Sequence, residues 1–131
     1  EKLSDMIQAH VVSVTHNTAV SAAMVFEIRA LMHIKPPAKN ARKADREAYA
    51  NLMQRRDDFF ARRDDFEALY RRVIQNGIDT GAFRPVDVGI FTKTMLGAHN
   101  WVGVWYRDGG RLTGEAIAQQ MAEIFLRALK P

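Results

Sequence analysis

A duplicated heptad in the middle of the chain requires a long helix there. RRDDFFA at residues 55–61 is followed at once by RRDDFEA at 62–68. The apolar positions recur one heptad apart, at Leu52, Phe59, Phe66 and Val73. Leu69 and Tyr70 widen this row to the breadth of a helix that faces a core. The pattern therefore predicts one amphipathic helix over about 44–78.

Apolar residues also recur every three or four positions in the rest of the chain, which is the helical period. This spacing predicts four more helices, over about residues 3–16, 19–33, 88–106 and 113–129. Thr18, Asp87 and Thr113 are predicted N-caps, and Pro36-Pro37 ends the second helix. No stretch alternates as a strand does, so the predicted fold is all-α, with residues 1–131 forming a single domain.

Composition excludes several classes of protein. The chain has 131 residues, 47% of them hydrophobic, which is typical of a globular domain. No apolar run approaches the roughly 20 residues of a membrane helix, and no signal peptide is visible, so we expect a cytoplasmic protein without a membrane partner. The absence of cysteine excludes disulfides and thiolate metal sites.

The net charge of +4 is concentrated between residues 35 and 72, which hold 11 Lys/Arg and 7 Asp/Glu. Acidic and basic residues alternate there, and Asp58–Arg62 and Glu67–Arg71 are predicted i,i+4 pairs. Two interpretations stay open. The stripe is either a solvated helix face or a surface for an anionic ligand or a nucleic acid.

No catalytic or metal-binding motif is present. The histidines, His10, His16, His33 and His99, fall on different predicted helices without an i,i+4 pair. There is no phosphate-binding glycine loop and no nucleophile elbow. We therefore expect no enzymatic activity, no metal and no cofactor.

The fourth predicted helix has two unusual faces. Trp101 and Trp105 lie on a broad apolar face, which predicts either core or the wall of a cavity. The opposite stripe carries small or uncharged groups, among them His99, Asn100 and Gly103. Glycine in a helix costs roughly 0.5–1 kcal/mol relative to alanine, so this stripe predicts the close approach of another helix.

The order of motifs from residue 62 onward resembles the C-terminal regulatory domain of TetR-family transcriptional regulators. The matching strings are YRRVI at 70–74, NGIDTGAFR at 76–84, LGA at 96–98, NW at 100–101, WY at 105–106 and LTGEAIA at 112–118. The subgroup it resembles most includes repressors of fatty-acid and steroid degradation that sense acyl-CoA thioesters.

The resemblance implies a five-helix regulatory domain whose last two helices pair with those of a second copy in a four-helix bundle. The remaining helices surround a cavity for an apolar ligand, for example an acyl-CoA, that controls release from DNA. DNA is bound through an N-terminal helix-turn-helix domain, and no such domain is found in this chain.

Two sets of candidate residues follow. The predicted ligand-binding residues are Met24, Arg29, Phe59, Phe66, Tyr70, Asn100, Trp101 and Trp105. The predicted dimer-interface residues are Leu96, His99, Gly103, Ile117, Met121, Ile124, Phe125 and Ala128. Arg62 or Arg63 is a candidate for binding an anionic ligand tail.

The alternative hypothesis is a purely structural helical homodimer or protein-interaction module without a ligand. A filled core would favour this alternative, and a large cavity would favour a sensor.

Overall fold

The computed structural model describes residues 1–131 as five α-helices without strands, so the all-α prediction is confirmed. The helices are α1 (Lys2–His16), α2 (Thr18–Met32), α3 (Lys43–Asp79), α4 (Val88–Trp105) and α5 (Gly114–Ala128). Each boundary lies within about one residue of the position that apolar spacing and turn residues predict.

The core forms around α1, which packs most extensively against α5 and also against α4. Leu3, Ile7, Val11 and Val14 recur at helical spacing on α1 and are all buried. The other members of this cluster are Tyr70 and Ile74 of α3, Met95, Leu96 and Val102 of α4, and Ile117, Ala118, Ala122 and Leu129 at the C-terminal end.

Two of the three predicted N-caps are confirmed. Asp87 accepts a hydrogen bond from the amide of Ile90, and Thr113 accepts one from the amide of Ala116. The prediction for Thr18 is wrong, because α2 already begins at Thr18 and Asn17 occupies the cap position without a side-chain cap bond. The side-chain amide of Asn17 instead donates to the carbonyl of Ser13 at the end of α1.

Ion pairing on α3 follows the i,i+4 rule only in part. Arg71 pairs with Glu67, as predicted. Arg62 makes no ion pair with Asp58 and donates to its backbone carbonyl instead, at 3.4 Å. Arg62 therefore keeps a guanidinium group without a carboxylate partner.

A tight turn ends α3. Gly81 has a φ of +73°, a conformation that favours glycine, and its amide donates to the carbonyl of Ile78. The amide of Phe83 then donates to the carbonyl of Gly77, which folds the chain back so that the Phe83 ring lies over Gly77.

Helix α2 differs from the others because none of its residues is buried. It packs chiefly against α4, where Ser21 lies against Gly103.

No single helix is long and apolar enough to cross a membrane. Only α1 and α2 taken together meet that criterion, and they are bent by 98° relative to each other.

Candidate ligand-binding cavity

A cavity of about 650 Å³ lies between α1, α2, α3 and α4. This volume falls within the range of small-molecule sites in proteins. Its apolar lining is Val14, Met24, Val25, Ile28, Phe59, Phe66 and Leu96. Because α2 contributes three of these side chains but buries none of its own residues, it forms the loosest wall of the cavity.

The solvent side of the cavity is cationic. Arg62, Arg63 and Lys93 line it together with one acidic residue, Glu67. Burial raises the pKa of Glu67, but the hydrogen bonds and charges of Lys93 and Arg71 outweigh this, and the pKa of Glu67 is lowered. Lys93 Nζ lies 3.2 Å from the Glu67 carboxylate. Glu67 is thus already paired, and it leaves the two arginines without a carboxylate partner.

His10 is a polar residue of the cavity lining, and it contacts the fully buried His99. Nδ1 of His10 lies 3.1 Å from Nδ1 of His99, and His10 also contacts the edge of the Phe66 ring. Burial lowers the pKa of His10 to about 4. Burial, together with the neighbouring His10 charge, lowers the pKa of His99 to about 3. Both rings are therefore neutral near pH 7.

Sequence reasoning treated His10 as an ordinary core or surface histidine and missed this pair. The available signal was weak, because His10 lies on the apolar side of α1 but its partner is 89 positions away. Only the packing of α1 against α4 brings the two rings together.

The structure brings together half of the predicted ligand-binding residues. Met24, Phe59, Phe66 and Asn100 all line the cavity. Tyr70 lies behind the wall, 1% exposed, with its ring against Phe66 and its hydroxyl donating to the carbonyl of Met6. Arg29 is exposed and does not line the cavity.

Trp101 and Trp105, which were predicted to line a pocket, do not line this cavity, and Trp105 lines a second hollow instead. They lie on the opposite side of α4, 52% and 48% exposed. The spacing identified the two faces of α4 but not which one points inward. The inward face carries His99 and Leu96, because α1, α2 and α3 all pack on that side.

The prediction of Leu96, His99 and Gly103 as dimer-interface residues is wrong for the same reason. All three are buried within a single chain, so they have no surface for a second copy. A Cβ on Gly103 would lie 2.7 Å from Cβ of Ser21. The close helix approach that the glycine indicated is therefore α2 of the same chain.

The other predicted interface residues are divided between core and surface. Ile117 is buried, and Phe125 contacts the rings of His99 and Phe91. Met121 is half-buried, whereas Ile124 and Ala128 are exposed. Ile124 lies near Trp105 beside a second hollow of about 430 Å³ between α4 and α5.

We refer to Ile90, Trp101, Trp105 and Ile124 as the outer apolar patch. Each of these side chains is about half exposed or more. On α4, the first three project in nearly the same direction at 100° per residue. An apolar surface of this kind is typical of a protein–protein contact.

Comparison with known proteins identifies the family. A model of the tetracyclin repressor-like C-terminal domain matches residues 38–129. A solved transcriptional regulator of the TetR/AcrR family from Thermobifida fusca YX-ER1 is similar, with a TM-score of 0.64 and 19% identity. The match covers all of this chain but 58% of that regulator, so this chain spans little more than half its length. No curated protein matches. On the family match, this chain belongs to the tetracyclin repressor-like C-terminal domains of the TetR family.

Proposed function

We propose that this chain is the ligand-sensing and dimerisation domain of a TetR-like transcriptional repressor of the cytoplasm. A small apolar molecule in the cavity would control release from DNA, which is held by a helix-turn-helix domain outside these 131 residues. The cavity between α1, α2, α3 and α4 is the observation that carries this proposal. A structural module without a ligand has no need of a space of about 650 Å³ in place of packed side chains.

The lining supports a ligand with an apolar body and an anionic end. Phe59, Phe66 and Met24 offer large or adaptable apolar surfaces. Arg62 and Arg63 lie on the solvent side without carboxylate partners. An acyl-CoA combines these two properties, with an acyl chain inside and phosphates outside.

The mechanism we propose is a shift between two populations. A ligand that binds one arrangement of the helices better than the other favours that arrangement by its difference in affinity. Helix α1 contributes His10, Ser13 and Val14 to the cavity and also packs against α5. It would therefore link the occupied cavity to the DNA-binding domain and to the partner subunit.

We also propose that two copies associate through the outer apolar patch. Ile90, Trp101, Trp105 and Ile124 would be removed from water in a two-fold contact between α4 and α5 of each copy. Met121 lines the second hollow beside Ile124, and Ala128 is exposed one turn further along α5. This surface replaces the buried residues that the sequence suggested.

A fluorescence titration with the neutral dye N-phenyl-1-naphthylamine tests the cavity. Met24→Trp would place a larger ring in the cavity lining, whereas Met32→Trp adds the same ring on the same helix at an exposed position outside it. We expect the dye to bind the parent and Met32→Trp with similar affinity, and Met24→Trp at least tenfold more weakly. Equal binding to all three proteins would contradict the cavity as a ligand site.

Sedimentation velocity tests the dimer. Ile124→Asp places a charge in the outer apolar patch, and Phe26→Asp places one at a similarly exposed residue of α2 (61% and 63% exposed). We expect dimers for the parent and Phe26→Asp at tens of micromolar, and a monomer for Ile124→Asp. A dimeric Ile124→Asp protein would show that the contact lies elsewhere.

A further inference from the structure

The two nitrogens of His10 have different surroundings. Nδ1 faces His99. Nε2 has no hydrogen-bond partner within the protein, and it is not fully buried. His10 itself lines the cavity and is only partly buried. Nε2 lies on the opposite side of the ring from Nδ1, so it is available to a molecule in the cavity.

His99 is in the reverse situation. It is fully buried, and its Nε2 is sealed without any partner. The ring is enclosed by Tyr70 on one side and Phe125 on the other. The His99 side chain therefore makes one hydrogen bond, from its Nδ1 to His10.

This geometry determines where the hydrogens lie. Two neutral imidazoles that meet through Nδ1 share one hydrogen there, so one ring is protonated on Nδ1 and the other on Nε2. A hydrogen on Nε2 of His99 would be a buried donor without an acceptor, which is rarer in proteins than an under-satisfied acceptor. The hydrogen of His99 thus lies on Nδ1, and the hydrogen of His10 lies on Nε2.

We propose that His10 is the polar anchor of the cavity, and that its Nε2–H donates to a neutral acceptor oxygen, such as a ketone, ester or ether, on the inner part of an apolar ligand. This inference rests on the proposed function of the cavity as a ligand site. It adds a specific requirement to the ligand, an oxygen acceptor distant from any charged end.

The surroundings of His10 explain why the acceptor is neutral. His10 packs against the rings of Phe66, Tyr70 and His99, none of which carries a charge. The charged lining residues, Arg62, Arg63, Glu67 and Lys93, come from α3 and α4, and all but Glu67 are exposed. Helix α2 adds no charged residue to the lining. A buried anion held by neutral His10 alone would be unpaired, and that is costly.

Two probes of the same shape test this inference. 2-Acetylnaphthalene carries a carbonyl oxygen where 2-isopropenylnaphthalene carries a CH₂ group. The ratio of their dissociation constants is measured by displacement of N-phenyl-1-naphthylamine from the parent, His10→Leu, His10→Gln and His16→Leu. Comparing ratios between variants cancels the difference in hydration of the two probes, because that difference is the same for every protein.

We expect the preference for the ketone to fall about threefold to tenfold in His10→Leu, as the loss of one hydrogen bond predicts. His10→Gln keeps a donor and should retain most of the preference. His16→Leu changes an exposed histidine of the same helix and should retain all of it. An unchanged ratio in His10→Leu overturns the role of His10.

A second measurement does not depend on a variant that folds. The ¹⁵N chemical shifts of the histidine side chains in the parent at pH 7.5 should identify an Nε2–H tautomer for His10 and an Nδ1–H tautomer for His99. The reverse assignment overturns the inference. If neither probe binds the parent, the cavity is not a ligand site and both proposals fail, whereas binding of both with an unchanged ratio overturns only the role of His10.

Discussion

Replacing Gly77 with alanine should destabilise the protein, although helix propensity alone predicts the opposite. Gly77 lies inside α3, and glycine in a helix interior is roughly 1 kcal/mol less favourable than alanine. The structure adds a steric cost, because a Cβ on Gly77 would lie 2.1 Å from Cδ2 and 2.4 Å from Cε2 of the Phe83 ring. Real Cβ atoms essentially never approach a neighbour below 3.0 Å, so the ring or the helix must move.

The magnitude follows from these opposing terms. Moving the ring disturbs a turn that the bond from the Phe83 amide to the Gly77 carbonyl holds closed, at 2.9 Å. Overpacking of this kind costs typically about 1–3 kcal/mol. After the gain in propensity is subtracted, we expect Gly77→Ala to lower the free energy of unfolding by up to about 2 kcal/mol.

Gly97→Ala is the matched control. Gly97 also lies inside a helix, but nothing is within 4 Å of an added Cβ there. This variant should raise the free energy of unfolding by roughly 0.5–1 kcal/mol. Urea unfolding followed by circular dichroism, at one fixed protein concentration, measures both changes.

A double-mutant cycle with Phe83→Ala isolates the cause. If the ring produces the cost, Gly77→Ala should be neutral or stabilising once Phe83 is alanine, with a coupling energy of about 1 kcal/mol or more. The steric argument is refuted if Gly77→Ala stabilises the parent as much as Gly97→Ala does, or if its effect is the same with and without the ring.

Three further predictions concern stability. The free energy of unfolding should fall as the pH decreases from about 6.5 towards 4, because His10 and His99 have lowered pKa values in the folded state and protonate more readily when unfolded. Urea titrations at pH 7.5, 6 and 5 measure this, and a flat profile would contradict it. Tyr70→Phe should cost about 0.5–1.5 kcal/mol, because it removes the hydrogen bond from the buried hydroxyl to the Met6 carbonyl; an unchanged urea midpoint would argue against that bond. Thr113→Ala should cost about 1 kcal/mol through loss of the α5 cap, and Thr113→Ser should not.

Local signals in the sequence predicted the helices well because each signal acts within a few residues. The heptad repeat indicates α3, and the Asp87 and Thr113 caps mark the starts of α4 and α5 within one turn. Thr18 failed as a cap because Asn17 already joins α1 and α2 through its bond to the Ser13 carbonyl. From the sequence alone, either Asn17 or Thr18 could be the N-cap of α2, because both residue types are common at that position.

The candidate site was only partly predictable because it depends on contacts between distant helices. Met24, Phe59 and Phe66 were found because each lies on the apolar face of its own helix. The orientation of α4 was predicted incorrectly, because large apolar residues such as Trp101 are normally placed inward. Here the small residue Gly103 faces inward instead, where it admits Ser21 of α2. The helical spacing of apolar residues alone cannot show which of the two faces of α4 points inward.

The orientation of α4 about its own axis connects the two proposed activities, ligand binding and dimerisation. Leu96 and Asn100 line the cavity, while Trp101, one residue further along, belongs to the outer apolar patch. One helix therefore separates the proposed ligand from the proposed partner subunit. On the cavity side α4 is supported by α2, which has no buried residue, whereas α1 and α5 form the close-packed core. Since a ligand displaces the least tightly packed wall most easily, α2 is the element whose position should respond to it first, and α4 is its main packing partner. A small rotation of α4 would then move Trp101 and Trp105 together, because the helix carries both faces as one rigid body.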